Sequence, residues 1–156
     1  MHSLILELTR ERVNKDGWVG EIDLREDHEI DYARKLEGDE RDEAIRRFYT
    51  TSWLGTFLQR GEEPDTLVYK RGLASAKDEW YSELHKLVSE AEKSRTSDLY
   101  SLRQTIDYPF GGFTRYVLSD WSGTSYSCPT RELLELLDEM KIGDKLYINS
   151  VFDYHW

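Results

Sequence analysis

The stretch LILELTRERVNKDGWVGEIDL, residues 4–24, decides how this fold begins. Residues 4–13 are rich in β-formers and lead into Asn14-Lys15-Asp16-Gly17. That tetrapeptide is a turn signal, because Gly adopts φ > 0 at no steric penalty. Residues 18–24 follow, with Trp18, Ile22 and Leu24 on one face and Glu21 and Asp23 on the other. This pattern predicts a β-hairpin that opens the fold.

Working outward, a short helix is expected over residues 28–37, with Asp27 as N-cap and Gly38 past its end. Asp39 would cap the next helix, residues 40–59. Its Ile45, Phe48, Tyr49, Trp53 and Phe57 recur near a 3.6-residue period, and Gly61 and Pro64 end it. Residues 66–70 read as a short strand. The clearest helix is 76–94, with Ser75 and Asp78 suited to its N-terminus. Its stripe of Trp80, Leu84, Leu87, Val88 and Ala91 is expected to be core.

Residues 97–105 read as another short helix, and Tyr108-Pro109-Phe110-Gly111-Gly112 as a break. A strand over 113–121 and a polar loop over 122–127 come next. A helix over 129–140 turns Leu133, Leu136, Leu137 and Met140 inward and stops before Gly143. Residues 145–152 alternate as a final strand. The order predicts one α+β domain over residues 1–156, with an N-terminal β-hairpin and several helices packed on a mainly antiparallel sheet.

A chain of 156 residues can bury roughly 68–70% of its unfolded surface, so it needs no staples. Cys128 is the single cysteine, which excludes an internal disulfide. Residues 1–7 have neither a basic region nor a long apolar run, so no signal peptide is expected. No stretch approaches the ~18 apolar residues of a membrane span. The expectation is a soluble, cytoplasmic protein.

Charge is the most informative compositional feature. Of the 23 residues from Glu21 to Glu43, eleven are acidic and four basic, which gives this segment −7 of the chain's −10. Such a balance repels nucleic acid and anionic membrane and attracts cationic proteins. Asp23, Glu26, Asp27, Glu29, Asp31, Asp39, Glu40, Asp42 and Glu43 are therefore the candidate partner-binding residues. A plainer account is a solvated face, with acids favoured at helix N-termini by the dipole.

Chemistry-bearing motifs are weak. Cys128 precedes Pro129, and Pro suits the first helical position. An N-cap Cys128 would have its thiol pKa lowered by the helix dipole. His155 with Asp153 is the nearest base in type, although nothing in the sequence shows that they meet. Ser122-Gly123-Thr124-Ser125-Tyr126-Ser127 before a helix could hold phosphate, but it lacks Gly-Lys-Ser/Thr and Gly-x-Gly-x-x-Gly. Tyr108, Phe110 and Phe113 form a candidate secondary binding loop, since aromatics serve as interface anchors. His2, His28, His85 and His155 form no ligand pair, so neither a metal nor a cofactor is expected.

The leading expectation is a non-catalytic acidic binding protein, an inhibitor or accessory factor of immunity- or antirestriction-like role, docking a basic protein. It involves no direct nucleic-acid or membrane contact. One alternative is a small enzyme with a cleft near residues 121–130, using Cys128 or a phosphate-holding loop. The other is a homo-oligomeric subunit, such as a homodimer.

Overall fold

A computed structural model of the chain describes residues 2–24, 31–51, 55, 57–93, 99–100, 115–118 and 129–155. Its organising element is β6, Lys145–His155, the last and longest of the described strands. The other strands are β1 (His2–Thr9), β2 (Tyr32–Lys35), β3 (Leu58–Arg60), β4 (Thr66–Tyr69) and β5 (Arg115–Leu118). The six-stranded sheet runs β3-β4-β6-β1-β5, with β2 pairing β6 off that path. Every pairing is antiparallel except β1 with β5. The helices are α1 (Glu21–Leu24), α2 (Gly38–Thr51), α3 (Leu73–Ala91) and α4 (Pro129–Glu139). The α+β class and the mainly antiparallel sheet stand as the sequence predicts.

The opening hairpin does not form. The chain leaves β1 at Thr9, makes a 3-10 turn at Lys15–Gly17 and enters α1. Gly17 N–H donates to Asn14 O at 2.8 Å, so the turn signal is real. What fails is the return strand. Both edges of β1 are taken, by β5 and by β6, which leaves no free edge for a local partner. Residues 18–24 do not alternate either: Val19 and Leu24 are buried, whereas Ile22 is 75% exposed. Asp23 Oδ2 accepts from Gly20 N–H at 2.7 Å, which favours the helical turn.

Two further boundaries shift. The helix expected over 28–37 is replaced, within its described part, by β2, which pairs with residues 152–155 of β6 and buries Ala33. The helix expected over 40–59 ends at Thr51. Phe57 is buried just before β3, which forms a true hairpin with β4. Gly38, at φ +52, lets the chain enter α2 in a conformation that side chains with a Cβ resist.

Asn149 and Ser150 of β6 oppose the single residue Glu7, between the pairs Leu6↔Val151 and Leu8↔Ile148. This β-bulge flips the alternation of β6. Before it, Leu146 and Ile148 face the larger core, and after it Val151 does. Phe152 and Tyr154 face the smaller one. The larger core combines Leu6, Leu8, Leu58 and Leu67 with Ala44, Ile45 and Phe48 of α2 and Leu133, Leu136 and Leu137 of α4. Val19 and Leu24 close the smaller one over Ile5 and Ala33.

The expectation for the α3 stripe is met only in part. Leu73 is buried, but Trp80, Leu84, Leu87 and Ala91 are half-buried and Val88 is exposed. No helix among the described residues is long and apolar enough to cross a membrane.

Candidate functional site

The candidate surface is built on a polar seam. Glu7 is fully buried, and its Oε2 accepts two amide N–H bonds, from Val19 at 3.0 Å and Ser150 at 3.1 Å. The second amide is one that the bulge releases from the ladder. Ser150 Oγ donates to Val19 O at 2.7 Å. Asn149 Nδ2 donates to Thr9 Oγ1 at 3.2 Å. The residue 10–24 segment is thus bonded across the sheet, which fixes Trp18 and α1 in place.

On its other side β6 is flanked by β4 at one end and β2 at the other, with a gap between them. Backbone groups in that gap need partners. Leu36 N–H takes Val151 O at 2.8 Å, and Ile148 N–H donates to Asp65 O at 2.8 Å. Arg41 of α2 fills the rest. Its Nη2 donates to Ile148 O at 3.1 Å and Asn149 O at 2.9 Å, and its Nε to Asn149 O at 3.3 Å. Nη1 pairs with Asp65 at 3.0 Å. A forked guanidinium here replaces a strand.

This scaffold sets α1, β2 and the start of α2 side by side. Between them lies an open cleft of about 660 Å³, lined by Glu21, Ile22, Arg34, Lys35, Glu37 and Glu40. Glu21 Oε1 accepts the outer-edge amide of Lys35 at 2.7 Å, which blunts the exposed edge of β2. Arg34 pairs with Glu40 at 2.7 Å. That hydrogen bond, and the charge behind it, hold the Glu40 carboxyl below its ordinary pKa and raise that of Arg34.

The candidate acids divide into three groups. Asp23, Glu40 and Glu43 are occupied, Asp23 by Gly20 N–H, Glu40 by Arg34 and Glu43 by Arg46. Asp31, Asp39 and Asp42 are exposed and engage no cation among the described residues, and Glu37 joins them. Glu26, Asp27 and Glu29 lie outside the described residues. Asp39 and Glu40 lie in the first turn of α2, where the helix dipole favours acids.

Asp153 and His155 share one face of β6, opposite Arg34 and Tyr32 of β2. Tyr32 is 43% exposed. Cys128, Tyr108, Phe110 and Phe113 lie outside the described residues. Among the described residues, no group of three or more His, Cys, Asp or Glu could hold a metal ion. Sequence reasoning missed Ile22, Arg34 and Lys35 as cleft residues. The sequence offered no clear signal for them, because Ala33 and Leu36, the apolar members of residues 32–36 besides Tyr32, stand three apart rather than alternating. No family model, curated protein or solved structure matches the chain.

Proposed function

We propose that this chain is a non-catalytic binding protein that docks a basic protein surface through the α1–β2–α2 cleft and its acidic margin. The observation that carries the reading is a juxtaposition. Asp31, Glu37, Asp39 and Asp42 are exposed and engage no cation among the described residues; Asp31 and Glu37 flank β2, Asp39 and Asp42 lie on α2, and the adjoining α1 and β2 present the exposed side chains of Ile22 and Tyr32. An apolar anchor beside a charged margin is the usual anatomy of a protein interface. The acids would steer a cationic partner and select it, and the burial of Ile22 and Tyr32 would hold it. An inhibitor or accessory factor, immunity- or antirestriction-like in role, fits this anatomy.

The test is capture of a partner from the source-cell lysate, with washes at low and high salt. Exposed charges are screened beyond ~10 Å at 0.1 M salt, so the captured protein is expected to be basic and to elute as salt rises. Reversing Asp39, Glu40, Asp42 and Glu43 to Lys together is expected to weaken binding at least ~100-fold, chiefly through association rate. Binding that ignores salt, or that survives the reversal, overturns the proposal.

A further inference from the structure

We propose that the surface cluster of Lys15, Trp18 and Lys35 binds a phosphate-class dianion. The indole is held in place by its own N–H, which donates to Val13 O at 3.0 Å. Three cations surround it. Lys35 Nζ, Arg41 Cζ and Lys15 Nζ lie 5.5, 5.6 and 5.7 Å from the ring centroid. Those distances keep the two ammonium groups within about 11 Å of each other, roughly one Debye length at 0.1 M salt.

This cluster runs against the charge of the chain, in which 31 acids face 21 Lys and Arg. Several of the exposed cations elsewhere find carboxylates. Arg12 and Lys145 share Glu63, Arg71 takes Glu79, and Lys77 lies 3.6 Å from Asp138. Lys15 and Lys35 have no carboxylate at ion-pair distance among the described residues. Asp16 adjoins Lys15, and Glu21 takes the Lys35 amide, yet neither closes a pair with its neighbour's ammonium. Arg41 is committed to carbonyls and Asp65, so it contributes field while the lysines contribute donors.

Lysine binds phosphate as a mobile point charge, and two of them suit a dianion better than a monovalent ion. Inorganic phosphate and a phosphate monoester present the same group. An ester carrying an aromatic ring could also stack on the indole, with the lysines swinging from ring to phosphate.

The experiment is a titration of the ¹⁵N-labelled protein with inorganic phosphate, and in parallel with phenyl phosphate, at ionic strength held constant with sodium chloride. The Trp18 indole N–H resonance, identified by its loss in Trp18→Phe, is the readout. A saturable shift with Kd on the order of 1 mM or tighter is expected. It should weaken at least tenfold in Lys15→Gln/Lys35→Gln and persist in Lys15→Arg/Lys35→Arg. Tighter binding of phenyl phosphate points to an aromatic ester, and equal binding to the free anion. A shift that never saturates, or one unchanged in the double Gln variant, overturns the proposal. The α2 reversal leaves both lysines in place, so this proposal and the docking of a basic protein fail separately.

Discussion

The seam between β1 and β6 and the helix α3 are held by opposite means. In the seam, Glu7, Thr9, Asn149 and Ser150 are buried polar residues, and each side chain has a partner. In α3 the only fully covered apolar residue described is Leu73, and the rest of the stripe meets water along one side. Trp80 Nε1 is the buried side-chain polar atom, among the described residues, that has no hydrogen-bond partner. The seam is specified by directional bonds between particular buried groups. The helix is specified by its own periodicity, and its packing leaves room for change.

The comparison breaks most readily at Glu7. Glu7→Ala strips the acceptor from two buried amides and opens a void, so a loss of about 3 kcal/mol or more is expected in denaturant unfolding. Glu7→Gln keeps one acceptor oxygen and should lose clearly less. A loss below ~1 kcal/mol for Glu7→Ala would mean that the segment 10–24 is held by packing alone. At the other pole, Val88→Asp on α3 is expected to change stability by no more than ~0.5 kcal/mol, because the site is already wet. A loss as large as at Glu7 would show that the α3 face is as essential as the seam.

The smallest effect sharpens the comparison at the surface. Hydrogen bonds from Lys145 and then Arg12 lower the pKa of the Glu63 carboxyl. A depressed carboxylate pKa stabilises the fold above the ordinary carboxylate range, and that stability is lost as pH falls through the lowered value. Glu63→Gln should therefore lose slightly less on acidification than the parent, as read from midpoints of thermal unfolding between pH 7 and pH 3. The group is fully exposed, so solvent screening keeps the difference small.

What the sequence disclosed follows the range of the physics involved. Local periodicity was enough for α3, α4 and β4, whose observed bounds fall within three residues of those expected. Pairing is not local. The partners of β1 lie more than 100 residues away, and a turn signal at Asn14–Gly17 does not say whether the chain returns to pair. β2 was misread for the same reason: its identity rests on the open edge of β6. Glu7 reads as the outward member of an apolar run, and only the bulge explains its burial. On the candidate surface, the exposure of Asp39 and Asp42 was legible from helix phase. The pairing of Arg34 with Glu40 required the tertiary placement of β2 beside α2.

The doubled residues in β6 also settle how the sheet assembles. An unbroken strand can slide by two residues against its neighbour and still present apolar side chains to the same side. β6 cannot. A slide would bring Asn149 and Ser150 against Leu6 or Leu8 and leave the Glu7 carboxylate without the Ser150 amide. Misaligned arrangements are thereby penalised at one interior point. The longest of the described strands, and so the one with most opportunity to dock out of step, carries its own alignment mark.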